Sequence, residues 1–252
     1  GEFSTESDGP RPLGATLYYN RLAQRVTAAL SVATAAGPLY SVDTRLRPSG
    51  AQGPLVVSVD SFARYQREDA WTWEHMALTR ARPVFGSEVA RAALQAEIHA
   101  VLAGARKDRD VVADAAKMRE EMAAHKKPAG PLDAKLLPGG LVDLEFAVHT
   151  LQLEHKSGFD PRLARAIDLL GPLLPAGIGA AYELLTRLLV TLRLVAPDAQ
   201  EPEALATSAL LARALGLNDW AQVLAGLDAA RQEVRDTWLG VIDGRDSRSD
   251  AG

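Results

Sequence analysis

The sequence predicts a mixed α+β domain at the N-terminus followed by an all-helical bundle, so that the protein is mainly α overall. Two short segments, residues 39–47 and 55–59, have the apolar and β-branched residues that favour β-strands. From residue 87 almost to the end of the chain, apolar residues recur at spacings of three and four, which indicates helices. We therefore predict a first domain over residues 1–85 and a helical domain over residues 86–252.

The composition excludes several protein classes. Hydrophobic residues make up 47% and charged residues 24% of the 252 residues, as in an ordinary globular protein. The net charge of −4 gives no basic excess, so we expect no nucleic-acid partner. No apolar run in the sequence is long enough to span a bilayer, so we expect no membrane partner. The sequence contains no cysteine, which removes disulfides and thiolate metal sites and suits a reducing, cytoplasmic location.

The first predicted strand has a polar face whose side chains are of the types that bind metal ions and phosphate groups. Alternate side chains of a strand share a face, so Asp43, Arg45 and Arg47 point one way and the apolar residues point the other. Pro48 ends the strand because it cannot donate to a sheet ladder. A carboxylate suits a metal ion and guanidinium groups suit phosphate oxygens, so the face fits an anionic substrate with a metal. The alternative is an exposed face whose charges form an internal ion pair.

A helix is predicted after the second strand, with Asp60 or Ser61 as its N-cap. Arg80 and Arg82 near its end are candidates for phosphate contacts, because they flank the predicted site strand in the sequence. We expect His75 to be a hydrogen-bonded helical residue and not a catalytic one.

A pair of glycines, Gly139 and Gly140, precedes a further predicted helix. Glycines before a helix can expose backbone N–H groups to an anion. Asp143 and Glu145 fall in the first turn, where carboxylates stabilise the helix dipole without any chemistry. We favour a structural and domain-contact role for this motif, with anion binding as the alternative.

The remaining helices are predicted from apolar spacing and from cap residues. Ser87 is a candidate N-cap, Gly104 a break, and Gly216 a residue that ends a helix. The predicted helices are 87–125 with its break, 161–174, 178–195, 203–215 and 219–241.

Three stretches of the sequence carry a family resemblance: YSVDTRLRPSG at 40–50, GPLVVSVDSFARYQREDAWTWEHMALTRARPV at 53–84, and KLLPGGLVDLEF at 135–146. In this order they resemble the bacterial glutamate-ammonia-ligase (glutamine synthetase) adenylyltransferases. The resemblance implies an enzyme of two halves, each a nucleotidyltransferase domain followed by a helical domain. One half adds AMP to a tyrosine of glutamine synthetase and the other removes it. AWTWEH at 70–75 resembles the adenylylating half.

The resemblance also implies roles for the candidate site residues. The nucleotidyltransferase fold uses a Gly-Ser turn, two aspartates one residue apart, and a third carboxylate on a later strand. Asp43 stands where that third carboxylate is expected, as a catalytic residue and a ligand of Mg²⁺, with ATP as substrate. Arg45, Arg47, Arg80 and Arg82 are the expected substrate and phosphate contacts.

One part of the family pattern is missing from the sequence. The Gly-Ser turn with its Asp-x-Asp pair does not occur before Asp43. We therefore expect a truncated chain that begins just after the first catalytic strand, with residues 1–85 as a partial nucleotidyltransferase domain that is inactive by itself.

The family implies two protein partners, glutamine synthetase and a PII-type signal protein, and a role in regulating nitrogen assimilation. Two alternatives remain open at the level of the sequence. The chain could belong to the adenylyl-removing half, which works by phosphorolysis. It could instead be a non-catalytic module that docks glutamine synthetase and relays signals from the PII-type protein.

Overall fold

A computed structural model describes residues 13–104 and 110–244. Within these ranges the chain forms ten α-helices and two 3₁₀ turns, and no β-strand. The described residues fall into two compact units, the first made of 13–77 and 82–104 and the second of 78–81 and 110–244. The prediction of a mainly helical protein is confirmed, whereas the domain boundary at residue 85 stays a prediction.

The first unit is built from four helices and a long irregular connection. Its helices are α1 Ala15–Ser31, α2 Val59–Glu68, α3 Thr72–Leu78, whose last residue belongs to the second unit, and α4 Glu88–Ala103. Helix α2 packs against α4, and Arg67 forms an ion pair with Glu97 between them. Helix α1 buries none of its residues.

Side-chain caps begin two helices of the first unit, one at the predicted residue and one at a neighbouring residue. Ser87 caps α4, as predicted, by accepting a hydrogen bond from the backbone N–H of Ala90. Helix α2 begins earlier than predicted, and Ser58 caps it in place of Asp60 or Ser61. Helix α1 begins without a side-chain cap.

The predicted strands are wrong. Between α1 and α2 the chain is irregular apart from a 3₁₀ turn at Gly50–Gln52 and a single bridge between Thr34 and Gly37. An alternating sequence pattern predicts which face each side chain of a strand would occupy, but it does not provide a second strand for the backbone hydrogen bonds. Two strands by themselves are only marginally stable in water. The described residues contain no strand, so the α+β nucleotidyltransferase remainder is not found in them. The backbone N–H of Val56 instead donates to the side chain of Asn20 in α1, at 3.3 Å.

The second unit is all-helical, as predicted for the later part of the chain. It contains α5 Val111–His125, α6 Leu141–His155, α7 Leu163–Leu169, a 3₁₀ turn Gly171–Leu173, α8 Ile178–Val195, α9 Leu205–Leu215 and α10 Trp220–Asp243. Gly216 ends α9 in a left-handed conformation, and Asp219 caps α10 by accepting from the N–H of Gln222.

Helix α6 lies at the centre of the second unit. It contacts α5, α7, α8 and α10, and eleven of its fifteen residues are buried. A helix that is apolar on nearly all sides is typical of such a central position. On one side, the rings of Phe146 and of Trp238 in α10 meet in a T-shaped arrangement, with 5.8 Å between ring centroids.

Among the residues that the structure describes, no helix combines the length and apolar character that a membrane crossing requires.

Candidate functional site

Asp43 lies in the irregular loop between α1 and α2, and it is tied to Arg45. Its Oδ1 accepts a hydrogen bond from the backbone N–H of Arg45 at 2.9 Å. The Arg45 guanidinium donates Nε–H to both carboxylate oxygens at 3.0 Å and a terminal N–H to Oδ2 at 2.5 Å. The internal ion pair, which was the alternative interpretation of this segment, is therefore the arrangement in the structure.

The Asp43–Arg45 pair is open to solvent, with 54% of the Asp43 side chain and 81% of the Arg45 side chain exposed. The hydrogen bonds from Arg45 lower the pKa of Asp43 to about 2. Asp43 is therefore ionised across the physiological pH range. Exposed pairs of this kind contribute little to the stability of a fold.

Arg47 braces the same loop from within. One terminal N–H of its guanidinium donates to the carbonyl of Thr44 at 2.7 Å and to the Thr44 hydroxyl at 3.0 Å. Its Nε–H donates to the carbonyl of Gly53 at 3.3 Å and its other terminal nitrogen to that of Ala51 at 3.4 Å. A phosphate contact by Arg47 stays a prediction, and it would have to compete with these loop carbonyls.

The other two candidate arginines lie outside this loop. Arg80 forms an ion pair with Glu145 of α6, with 3.5 Å between the charged atoms, and belongs to the second unit. Arg82 is exposed and belongs to the first unit. The structure thus brings Asp43 and Arg45 into contact, and Arg47 is hydrogen-bonded to Thr44 in the same loop. Arg80 pairs with Glu145 within the second unit.

The described residues do not by themselves fit a Mg²⁺ ion. No group of three or more histidine, aspartate or glutamate side chains in residues 13–104 and 110–244 could hold a metal ion. Mg²⁺ requires several oxygen ligands in near-octahedral geometry. Asp43 is one carboxylate, and both of its oxygens accept from Arg45. Its role as a metal ligand stays a prediction.

The Gly139–Gly140 motif binds a carboxylate of the protein itself. The N–H of Gly139 donates to Oδ2 of Asp143 at 2.5 Å, and Arg119 of α5 forms an ion pair with the other oxygen. Gly139 has φ +78°, and a Cβ there would clash with the carbonyl oxygen of Arg231 in α10. Glycine is therefore needed for the close approach of two backbones. The geometry supports the structural role that we favoured over anion binding.

Two family models together cover most of the sequence. Residues 2–97 match the family described as Glutamate-ammonia ligase adenylyltransferase, and residues 113–240 match the family described as GlnD PII-uridylyltransferase. A relative from Brucella suis, named bifunctional glutamine synthetase adenylyltransferase/adenylyl-removing enzyme, is 42% identical over 226 residues, or 85% of this chain. The chain belongs to the glutamine synthetase adenylyltransferase family.

Other members of the adenylyltransferase family match over a similar length. Relatives of the same name from Mesorhizobium japonicum and Caulobacter vibrioides are 41% and 37% identical over 91% and 94% of this chain. The chain spans about a quarter of the length of these relatives, namely 23% of the Brucella suis protein, 24% of the Mesorhizobium protein and 26% of the Caulobacter protein.

The family stretch AWTWEH at 70–75 has a structural role in the first unit. Glu74 is buried and accepts hydrogen bonds from the Tyr65 hydroxyl at 3.0 and 3.1 Å and from the N–H of Trp71 at 2.9 Å. Nε2 of His75 donates to the carbonyl of Gln66 at 2.7 Å. Both side chains thereby fasten the start of α3 to α2. This agrees with the expectation that His75 is a hydrogen-bonded helical residue.

A buried histidine in α6 was not identified from the sequence. Nδ1 of His149 lies 2.9 Å from the hydroxyl of Thr79 and 2.8 Å from Oε1 of Gln152. Because Oε1 of Gln152 can only accept, Nδ1 carries the proton and Nε2 is a bare lone pair without a partner. Burial is the main cause that lowers the pKa of His149 to about 4, and the positive charge of Arg80 acts in the same direction. One histidine within an apolar helix gives no sequence signal that distinguishes it from an ordinary core residue.

Proposed function

We propose that the chain is part of the adenylylating half of an enzyme that transfers AMP from ATP to a tyrosine of glutamine synthetase. The observation that carries this proposal is the match of residues 2–97 to the adenylyltransferase family, because that range contains the Asp43 loop. The stretch AWTWEH at 70–75 lies in the same range, and its resemblance to the adenylylating half supports the choice of half.

The proposal assigns a role to each candidate residue. Asp43, ionised and exposed, is a carboxylate of the Mg²⁺–ATP site, and it becomes available as a ligand once Arg45 releases it. Arg45 and Arg47, with Arg80 and Arg82, are the cations that contact substrate phosphates. Because the described residues alone do not fit the metal, the proposal requires further carboxylates from parts of the full-length protein outside this chain.

The helical unit has a proposed regulatory role. The match of residues 113–240 to a family described as a PII-uridylyltransferase supports a PII-type signal protein as a partner, in addition to glutamine synthetase. We place the enzyme in the cytoplasm, where glutamine synthetase is expected, and assign it to the control of nitrogen assimilation.

A second candidate function is the removal of AMP. The relatives are named as bifunctional enzymes, so both activities belong to proteins of this family. A third is a module that only docks glutamine synthetase or a signal protein. The three differ in what should happen when Asp43 loses its charge.

The experiment replaces Asp43 with asparagine in the full-length protein that contains this chain. AMP incorporation into glutamine synthetase and AMP release from adenylylated glutamine synthetase are measured separately. We expect incorporation to fall by about a hundredfold or more, because a carboxylate that offsets divalent cations is worth several kcal/mol of barrier. We expect release to remain close to wild type. The isosteric change should leave the melting temperature unchanged, since Asp43 is exposed.

The matched control is Asp60→Asn, which removes the same charge from the first turn of α2 in the same unit. It should alter neither activity. Loss of release with normal incorporation would assign the chain to the removing half. If both activities of Asp43→Asn were normal, Asp43 would not be a catalytic residue, and the docking module would be the better interpretation.

A further inference from the structure

Helix α3 ends in a tight turn that belongs to the second unit. The turn spans residues 78–81, and the N–H of Ala81 closes it by donating to the carbonyl of Leu78 at 3.0 Å. Thr79 and Arg80 therefore occupy its two central positions. Leu78 and Thr79 are buried, whereas Arg80 is exposed. We call residues 78–81 the α3 turn.

Two side chains of α6 hold the two central residues of the α3 turn. The protonated Nδ1 of His149 donates to the hydroxyl of Thr79 at 2.9 Å. Glu145 forms the ion pair with Arg80, with 3.5 Å between the charged atoms. Residues four apart on a helix lie on the same face, one turn from each other. Neighbouring residues of the turn are therefore held by neighbouring positions on one face of α6.

The contact with Thr79 is part of a buried chain of hydrogen bonds. Oε1 of Gln152 accepts from the same Nδ1 of His149 at 2.8 Å, and Nε2 of Gln152 donates to the carbonyl of Gly158 at 2.6 Å. Thr79 and His149 are each 3% exposed, and Gln152 is fully buried. Breaking a buried hydrogen bond leaves polar groups without partners and is costly. The backbone that carries Arg80 is therefore fixed against α6.

The ion pair orients Arg80 and leaves most of its hydrogen-bonding capacity unused. It joins Nη1 to Oε2 of Glu145 in a single contact, and 46% of the Arg80 side chain stays exposed. The other N–H groups of the guanidinium make no hydrogen bond to the described residues. A guanidinium that is already oriented loses less conformational freedom when it binds a phosphate. In protein kinases, a glutamate on a helix pairs in this way with the lysine that contacts the nucleotide phosphates.

We propose that Glu145 is a positioning residue, which holds Arg80 on the anchored α3 turn so that the remaining guanidinium N–H groups face a phosphate of the bound nucleotide. The inference rests on the proposed function, which supplies ATP as the substrate. It separates two acidic residues of one motif, because Asp143 binds the backbone of its own turn and Glu145 acts on a substrate contact.

The test measures AMP incorporation into glutamine synthetase as a function of ATP concentration, in the full-length protein that contains this chain. We expect Glu145→Gln to raise the KM for ATP about three- to fivefold with a smaller change in kcat, because the exposed pair that it breaks is weak. Arg80→Ala should raise the KM about tenfold or more. In the Arg80→Ala background, Glu145→Gln should have no further effect, because a positioning residue acts only through the residue that it holds.

The matched control is Glu183→Gln, which breaks another exposed pair of the second unit, the one with Arg187 in α8 at 3.7 Å. It should leave the KM for ATP unchanged. An unchanged KM in Glu145→Gln would overturn the inference. An equal rise in KM with and without Arg80 would also overturn it, because Glu145 would then act on the fold and not through the arginine.

The same experiment separates this inference from the proposed function. If Glu145→Gln has no effect while Asp43→Asn still loses incorporation, only the inference fails. If the wild-type protein incorporates no AMP, the proposed function fails, and equilibrium binding of labelled ATP with Mg²⁺ decides the inference. Weaker ATP binding by Glu145→Gln that requires Arg80 would support it, whereas equal binding, or no ATP binding by the wild-type protein, would overturn it.

Discussion

Two aspartates show how burial decides what a carboxylate does in this chain. Asp43 and Arg45 form an exposed pair, which is free to exchange partners. Asp143 and Arg119 form a pair with only 5% and 11% of their side chains exposed, and Gly139 donates a further hydrogen bond. Breaking a buried pair leaves an uncompensated charge and costs about 3–5 kcal/mol. We therefore expect Asp43 to take part in binding or catalysis and Asp143 to stabilise the fold.

His149 gives a prediction about pH and stability. Its pKa in the folded chain is about 4, below the value of 6.5 that is expected in the unfolded chain. Between these two values the unfolded state binds a proton that the folded state does not bind, so the free energy of unfolding falls as the pH is lowered. A difference of this size corresponds to a few kcal/mol, on the order of 1.4 per pKa unit. His149→Gln removes the titrating group and should flatten this part of the pH dependence.

The measurement is urea unfolding at several pH values between about 7 and 4. His155→Gln, which changes an exposed histidine at the end of the same helix, should retain the wild-type pH dependence. The glutamine side chain of the His149→Gln variant lacks the imidazole ring, so some loss of stability at neutral pH is expected and does not bear on the slope. An unchanged slope in His149→Gln would show that another group causes the acid sensitivity.

At the scale of the element, α6 depends on the turn that precedes it. The turn passes so close to α10 that Gly139 has no room for a Cβ, and Arg231 donates from Nε to the carbonyl of Pro138 at 3.1 Å. The glycine pair, the buried Asp143 and the α10 backbone are therefore parts of one packing arrangement.

We predict opposite effects for alanine at two glycines of the second unit. Gly139→Ala should destabilise by about 2–4 kcal/mol, because it combines a left-handed φ with overpacking against the Arg231 carbonyl. Gly179→Ala, in the first turn of α8 with open space around it, should stabilise by about 0.5–1 kcal/mol through helix propensity. Thermal and urea unfolding of the two variants measure these changes. A neutral Gly139→Ala would mean that the turn can move away from α10.

The sequence predicted elements well where local signals suffice. Helices α8, α9 and α10 lie close to their predicted bounds, because apolar spacing, Gly216 and Asp219 are local features. The strands at 39–47 and 55–59 were wrong because a strand depends on a backbone partner that no local pattern specifies. At the candidate site, the sequence predicted that Asp43 and Arg45 share one face. It did not predict that Arg47 donates to carbonyl groups of its own loop, because these hydrogen bonds require a turn and an extended strand cannot form one.

At the scale of the whole molecule, the two compact units correspond to two separate family matches, except that residues 78–81 lie in the first match and belong to the second unit. The first contains the Asp43 loop within the match to residues 2–97, and the second contains α6 within the match to residues 113–240. The chain spans about a quarter of its relatives' length, and one exposed carboxylate does not make a metal site. Our central claim is that this chain supplies part of an adenylylation site that other segments of the full-length protein complete.

The most direct test is AMP transfer by the purified 252-residue chain alone, supplied with labelled ATP, Mg²⁺ and glutamine synthetase. The full-length Brucella suis relative serves as the positive control. We predict incorporation at background level for the chain alone and clear incorporation for the control, with a cooperative melting transition showing that the chain is folded. Incorporation by the chain alone that disappears in Asp43→Asn would contradict the claim, because the site would then be complete within these 252 residues.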